Sequence, residues 1–152
     1  MTPIKILFIC HGNICRSPMA EFVLKKMVDD RDIRDSFLIE SAATSREEIG
    51  NDIYPPAKKK LREKGIDFHS RAARQVTSED YKKYDYLIGM DEANIRNLLA
   101  KFDEDPDEKI YKLLDFAGID RVVADPWYTG DFETTYQDVK AGCEGFLEFL
   151  GQ

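Results

Sequence analysis

Residues 4–18 read IKILFICHGNICRSP, an apolar run followed by a polar loop and a Ser-Pro pair. The apolar run, residues 4–9, is short and ends at a glycine-containing turn, which is typical of a buried strand. Proline is tolerated in the first turn of a helix, and apolar side chains recur at helical spacing after Pro18. The stretch therefore predicts a strand, a loop and a helix that extends to about residue 29.

The rest of the chain repeats the alternation of strand and helix. Residues 37–39, 84–88 and 110–114 read as strands. Helices are indicated from Pro55 to about residue 64, after Asp91 as a cap, and along an apolar stripe over residues 136–150; the members of this last set are Tyr136, Val139, Cys143, Phe146, Leu147 and Leu150. Strands separated by helices favour parallel βαβ units, which bind ligands beyond the carboxyl ends of their strands. We therefore expect one α/β domain over residues 1–152.

Composition and charge are those of an ordinary globular chain of 152 residues, with 43% hydrophobic and 34% charged residues. The net charge of −7 argues against nucleic acid and anionic membranes as partners. No apolar run approaches the roughly 18 residues of a transmembrane helix, and the N-terminal residues lack the basic leader of a signal peptide. An odd number of cysteines, three, predicts a cytoplasmic location with catalytic or buried thiols.

The loop after the first strand has the features of an anion-binding nest. Five residues separate Cys10 from Arg16, and the loop runs into a helix, so backbone N–H groups can converge near the helix N-terminus. Gly12 accepts backbone angles that other residues resist. The guanidinium of Arg16 can bind two phosphoryl oxygens at once. These residue types predict an oxyanion as the ligand.

Cys10 is expected at the bottom of this nest. The helix dipole, the converging N–H groups and a guanidinium all favour the thiolate, and Ser17 is placed to donate a hydrogen bond to it. A thiolate aimed at a bound oxyanion is a nucleophile. The alternative is a buried cysteine and a surface arginine that share this spacing by chance. The strand before the loop, the glycine within it and the Ser-Pro pair after it argue against chance.

Residues 10–21, CHGNICRSPMAE, resemble the phosphate-loop signature of the low-molecular-weight protein tyrosine phosphatases. The likeness covers essentially the whole chain, and the first and last of its motifs are together highly specific. The other motifs occupy residues 40–45, 65–67, 73–75, 89–94 and 125–132. The resemblance implies a flavodoxin-like, four-stranded parallel sheet flanked by helices on both faces, and hydrolysis through a phosphocysteine intermediate.

The resemblance implies the catalytic residues by their positions in these motifs. Cys10 resembles the nucleophile, Arg16 the clamp on the transition state and Asp125 the general acid. The residues expected to bind the substrate or its phosphate are His11, Gly12, Asn13, Ile14, Cys15, Ser17, Trp127 and Tyr128.

Other residues are implied to support the loop. Asn13 resembles the residue that holds the nest open through a hydrogen bond to Ser41, and Ser17 the hydroxyl that stabilises the thiolate. Asp91 is a further expected support. In the family, a cysteine placed like Cys15 can close a reversible disulfide with the nucleophile, which requires a reactive thiolate beside a second thiol. The alternative for Cys15 is a small buried hydrophobic residue.

The chemistry of the leaving group also indicates that the general acid is a carboxylate. Expulsion of a phenolate, whose conjugate acid has a pKa of about 10, benefits from a proton donor that can later activate water. His11 and His69 are the only histidines, which favours a carboxylate. Asp125 lies in a turn-forming segment made rigid by Pro126. Chain order alone does not select it from 29 acidic residues, and a solvated turn aspartate is the alternative, so the assignment depends on the resemblance.

Trp127 and Tyr128 are candidates for the walls of a slot that accepts an aromatic ring. A deep slot would admit phosphotyrosine and leave the shorter phosphoserine out of range. The alternative is that either ring packs in the core. Ile14 occupies a loop position at which the related protein-arginine phosphatases resemble one another in having threonine. The apolar side chain of Ile14 suits a phenyl ring better than a guanidinium. Phosphotyrosine is therefore favoured over phosphoarginine.

Four residues depart from the family pattern. His11 replaces a usually apolar residue and is expected either at the pocket mouth or as an exposed loop histidine. Glu47 and Glu48 make the rim acidic, which should disfavour acidic peptides around the phosphotyrosine. Arg71 stands where many members have a histidine that supports the phosphate loop, which puts that support in doubt.

Three other functions fit parts of the pattern. A thioredoxin-coupled arsenate reductase needs two further neighbouring cysteines, whereas only Cys143 remains, on the stripe of the last helix. A phosphoprotein-binding module with a dead site would not keep Cys10, Arg16 and Asp125 intact, and a phosphocysteine carrier should lack an acid like Asp125. We therefore expect a phosphatase with no cofactor or metal site. A monomer or a weak dimer is expected, with phosphotyrosine proteins as substrates and oxyanions as inhibitors.

Overall fold

The structure, a computed structural model, describes residues 2–152. The strands are β1 (Ile4–Cys10), β2 (Phe37–Ala43), β3 (Tyr86–Gly89) and β4 (Ile110–Lys112). The helices are α1 (Arg16–Asp30), α2 (Pro55–Glu63), α3 (Ser78–Lys83), α4 (Glu92–Lys101), α5 (Pro126–Thr129) and α6 (Phe132–Phe149), with 3-10 turns at Arg34–Ser36 and Leu113–Ala117. Within residues 2–152, no helix combines the length and apolar character that a membrane crossing requires.

All strands of the sheet are parallel, and their order is β2-β1-β3-β4. β1 therefore lies inside the sheet, where Phe8 is in register with Ser41 of β2 and Ile88 of β3. Its last residue, Cys10, emerges at the carboxyl edge, where sheets of this kind bind ligands. The expected four-stranded parallel sheet is confirmed.

Helices cover both faces of the sheet because both faces of β1 are apolar. Ile6 and Phe8 belong to a core cluster that also contains residues of α1 and α6, such as Met19 and Phe146. Leu7, between them in sequence, belongs to a second cluster with residues of α3 and α4. Successive side chains of a strand point to opposite faces, so helices on both sides hold β1 in place. This packing fixes the position of the loop that follows the strand.

Several boundaries differ from the sequence prediction. β2 continues to Ala43, beyond the predicted residue 39, because Ser41 and its neighbours remain in register with β1 despite their polar or small side chains. β4 ends at Lys112, since the next two leucines enter a 3-10 turn. Helices α3 and α5 were not predicted: they are 6 and 4 residues long, too short to show helical periodicity.

Candidate active site

The loop between β1 and α1 curls around the sulfur of Cys10. Asn13 adopts a positive φ of 60°, a left-handed conformation that asparagine tolerates better than most residues. This turn directs its backbone N–H towards Cys10 Sγ, at 3.3 Å, and the N–H of Ser17 lies 3.5 Å from the same atom. Arg16 opens α1, two residues earlier than predicted, so the helix N-terminus faces the same point. The sulfur thus lies among donors suited to an anion.

Ser17 completes this set of donors. Its Oγ lies 3.0 Å from Cys10 Sγ and accepts a hydrogen bond from Asn13 Nδ2 at 2.8 Å. Because the hydroxyl oxygen is already an acceptor for Asn13, its own proton is available to the sulfur. This polarity lets the Ser17 hydroxyl donate to Cys10 Sγ.

A buried hydrogen-bond chain holds Asn13 in this position. Asn13 Nδ2 also donates to Ser41 Oγ at 3.0 Å, and Ser41 Oγ donates to Glu21 Oε1 at 2.6 Å. The backbone N–H of Arg74 donates to Asn13 Oδ1 at 3.3 Å. The contact between Asn13 and Ser41 is the one implied by the resemblance. Both ends of the Asn13 amide are therefore satisfied, which fixes which end faces Ser17.

Arg71 supports the loop from outside it. Its Nη2 donates to the backbone carbonyl of Asn13, and its Nη1 donates to the carbonyl of Asn51 at 3.2 Å. Burial lowers the pKa of Arg71, and the negative charges of Glu21 and Cys10 partly oppose that change. The support that the departure from histidine put in doubt is thus present in another form, because a guanidinium reaches two carbonyls at once.

Arg16 lies at the floor of the pocket, 2% exposed. Its Nη1 donates to Asp91 Oδ2 at 2.6 Å and to the carbonyl of Val123 at 3.0 Å, whereas Nη2 makes only a longer contact of 3.4 Å with Asp125 Oδ2. Burial opposes the charge of Arg16, but the charges of Cys10, Asp91 and Asp125 outweigh it and raise the pKa. One side of the fork is therefore anchored, while Nη2 is the side that a phosphoryl group can engage.

Asp91 serves two structural purposes at once. Its Oδ1 accepts from the backbone N–H of Asn94 at 2.8 Å, which makes it the N-cap that the sequence predicted for α4. Its Oδ2 is the acceptor for Arg16. Because the cap fixes the carboxylate, the guanidinium is held by a group that cannot easily turn away.

Asp125 is also oriented by a helix cap. Its Oδ1 accepts from the backbone N–H of Trp127 at 3.1 Å, and Pro126 occupies the first position of α5. Its other oxygen, Oδ2, points at Arg16. The carboxylate consequently lines the pocket over Cys10, beside Arg16.

The pocket over Cys10 has a volume of about 130 Å³. Trp127 and Tyr128 line it and are 52% and 84% exposed, so the alternative that these rings pack in the core is wrong. The ring of Tyr54 lies 4.8 Å from that of Trp127 and supports it. The residues that line the pocket are Cys10, His11, Gly12, Ile14, Cys15, Arg16, Glu47, Glu48, Asp125, Trp127 and Tyr128.

Three supporting residues were missed by sequence reasoning: Tyr54, Glu21 and Arg74. Tyr54 directly precedes the Pro55-Pro56 pair, and a tyrosine at the start of a helix carries no signal for a partner elsewhere in the chain. Glu21 lies within α1 and accepts from Lys25 Nζ at 2.6 Å, so it reads as an ordinary surface ion pair. Arg74 acts on the site through its backbone N–H, so the motif at residues 73–75 marks the segment but does not reveal this contact.

The other cysteines have different surroundings from Cys10. Cys15 is a free, buried thiol that lines the pocket, and burial, followed by the charge of Cys10, raises its pKa. Cys143 is buried in the core cluster, as its place on the helical stripe predicted. Within the described chain, no group of three or more His, Cys, Asp or Glu side chains is placed to hold a metal ion.

Fold and site together define a class of protein. A parallel α/β sheet with cysteine and arginine on one anion-binding loop, and an aspartate that lines the same pocket, is the arrangement of a cysteine-dependent phosphatase. Residues 5–152 match the family model described as low molecular weight phosphotyrosine protein phosphatase. The chain belongs to that family.

Relatives resemble this chain over nearly its whole length. The human low molecular weight phosphotyrosine protein phosphatase is 40% identical, and the match covers 94% of this chain and 93% of the human protein. The crystal structure of YfkJ from Bacillus subtilis is 37% identical with a TM-score of 0.95, covering 99% of this chain and 96% of that one. SP-PTP, a low molecular weight protein tyrosine phosphatase from Streptococcus pyogenes, is 43% identical with a TM-score of 0.87, covering 97% and 93%.

Proposed function

We propose that this protein hydrolyses phosphotyrosine in proteins to tyrosine and inorganic phosphate through a phosphocysteine intermediate, with no metal or cofactor. One observation carries the proposal: Cys10 Sγ is 3.0 Å from Ser17 Oγ and 3.3 Å from the N–H of Asn13, on the floor of a pocket that Arg16 and Asp125 share. A stabilised thiolate, an oxyanion site and a carboxylic acid are the three groups that this chemistry requires.

In the first step, the phosphoryl group occupies the nest and the Cys10 thiolate attacks phosphorus. An S–P bond forms as the bond from phosphorus to the phenolic oxygen breaks. Arg16 Nη2 and the loop N–H groups stabilise the equatorial oxygens, and the contact of Arg16 with Asp125 is exchanged for one with phosphate. Asp125, protonated, gives its proton to the departing oxygen.

In the second step, Asp125 takes a proton from water, whose oxygen attacks the phosphorus of the thiophosphate. The P–S bond breaks, the thiolate of Cys10 is restored and phosphate leaves. Trp127 and Tyr128 hold the aromatic ring of the substrate above the nest, and Ile14 contributes an apolar contact. Because these walls rise above the nest, the pocket favours a phenyl phosphate, which reaches Cys10, over the shorter phosphoserine.

Turnover of matched substrates tests the function. Wild-type protein, reduced and in the presence of EDTA, is given phosphotyrosine, phosphoserine and phosphoarginine, and phosphate release is measured. We expect rapid hydrolysis of phosphotyrosine alone. Preference for phosphoarginine would show that Ile14 and the aromatic walls have been misread, and absence of turnover with every substrate would favour a phosphoprotein-binding module.

Replacing Asp125 with asparagine separates the acid from the nucleophile. Asp125→Asn retains the oxygen that caps α5 but cannot donate a proton, so kcat for phosphotyrosine should fall about a hundredfold or more. With p-nitrophenyl phosphate, whose leaving group needs less help from an acid, the rate of the phosphorylation step should fall much less. The measurement is burst kinetics with both substrates. An equal loss in that step for both leaving groups would contradict the role of Asp125 as acid.

Three further properties remain predictions. A cytoplasmic location is proposed from the cysteine content, and a reversible disulfide between Cys10 and Cys15 from the resemblance. A monomer or weak dimer is the expected state. Phosphate, vanadate and similar oxyanions are expected to compete with substrate, because they fit the same donors.

A further inference from the structure

The pocket changes the sign of its charge between floor and mouth. Arg16, at the floor, is the cation that meets the phosphate. The mouth on the side of the loop after β2 carries two carboxylates, Glu47 and Glu48, and the imidazole of His11. A ligand that matches both the floor and the mouth carries negative charge at the tip that reaches the floor. It carries positive charge about one residue away, where it crosses the mouth.

Glu47 is tied to the phosphate loop. Its Oε2 accepts a hydrogen bond from His11 Nε2 at 2.7 Å, and its side chain is still 70% exposed. Ser45, in the same segment, donates its N–H and its hydroxyl to the carbonyl of His11, at 3.1 and 2.8 Å. These bonds hold the carboxylate of Glu47 at the mouth of the pocket.

Glu48 lies beside Gly12. A side-chain carbon added at Gly12 would come within 3.3 Å of Glu48 Cγ, so the glutamate stem packs closely on the loop. Its carboxylate accepts from Asn51 Nδ2 at 2.6 Å, a neutral donor that leaves the charge uncompensated. Among residues 2–152, neither Glu47 nor Glu48 is paired with a lysine or an arginine. The rim therefore presents negative charge to whatever crosses the mouth.

We propose that Glu47 and Glu48 select phosphotyrosine sites that have lysine or arginine next to the phosphotyrosine. The inference rests on the proposed function. When phosphotyrosine reaches the nest, its backbone stays at the mouth, and its neighbours in sequence lie over the rim. Basic neighbours gain attraction from the two carboxylates, whereas acidic neighbours are repelled.

Three peptides test the proposal, identical except for lysine, glutamine or glutamate on both sides of phosphotyrosine. For each protein, kcat/KM is expressed relative to the glutamine peptide, so that changes in overall activity cancel. For wild type at low ionic strength, we expect the lysine peptide to be about two- to tenfold better and the glutamate peptide to be worse by a similar factor. Both ratios should approach one in 0.5 M salt, because the charges are exposed.

The double variant Glu47→Gln/Glu48→Gln should bring both ratios close to one. Glu79→Gln/Glu148→Gln is the matched control: it also removes two negative charges, from exposed glutamates of α3 and α6 that do not line the pocket, and it should keep the wild-type ratios. The inference would be overturned if wild type hydrolysed all three peptides with ratios near one, or if the Glu47→Gln/Glu48→Gln variant kept the wild-type ratios. Either result would leave the proposed function intact. Failure of wild type to hydrolyse any of the peptides would overturn the proposed function, and the inference with it.

Discussion

Cys10→Ser should reduce kcat for phosphotyrosine by about four orders of magnitude or more while the oxyanion site stays intact. A serine hydroxyl needs a general base to become a comparable nucleophile, and Asp125, the carboxylate beside Arg16, must enter this step protonated to serve the leaving group. His11 donates to Glu47, and His69 does not line the pocket. The donors from Asn13 and Ser17 that favour a thiolate cannot ionise a hydroxyl to the same extent, because its intrinsic acidity is far lower.

Two measurements separate chemistry from binding in this variant. Phosphate release gives kcat, and calorimetric titration with phosphate gives the affinity of the nest. Since the substitution removes a negative charge from the floor and leaves Arg16 and the loop N–H groups in place, phosphate should bind at least as tightly as to wild type. A folded Cys10→Ser protein that retained turnover within tenfold of wild type would eliminate the phosphocysteine mechanism.

The local part of the site could be predicted from the sequence because its chemistry lies within one continuous segment. The strand, the glycine, the Cys-to-Arg spacing and the helix start all fall within residues 4–18, and short-range physics decides how they fold. Cys10, Arg16 and Ser17 are therefore found together as predicted. Asp91 was predicted as a helix cap from its position before an amphipathic segment, which is again a local signal.

The long-range part could not be predicted from physical chemistry alone. Asp91 and Asp125 are 75 and 109 residues from Arg16 along the chain, and only the order of strands in the sheet brings them to it. Nothing near Asp125 distinguishes it from other turn aspartates, so its expected role came from the resemblance. Arg71 is a related case: the family pattern marked the position, but only the structure places its guanidinium on the Asn13 carbonyl.

Arg16→Lys should lower kcat/KM by about a hundred- to a thousandfold, with most of the loss in kcat. Charge is conserved in this change, so the expected loss reports geometry. Arg16 uses Nη1 to hold Asp91 and the Val123 carbonyl, which leaves the other nitrogens for phosphate. A lysine ammonium is one compact donor group that cannot hold Asp91 and span two phosphoryl oxygens at the same time.

Arg121→Lys is the matched control, because Arg121 also forms a forked pair with a carboxylate, Asp138, but does not line the pocket. This variant should keep wild-type kcat/KM. Inhibition by two oxyanions then shows whether the Arg16 guanidinium stabilises the ground state or the transition state. Vanadate adopts the five-coordinate shape of the transition state, whereas phosphate resembles the tetrahedral ground state, so Arg16→Lys should weaken vanadate more than phosphate. Equal weakening of both would mean that Arg16 contributes uniform charge attraction, and that the loop N–H groups alone discriminate the transition state.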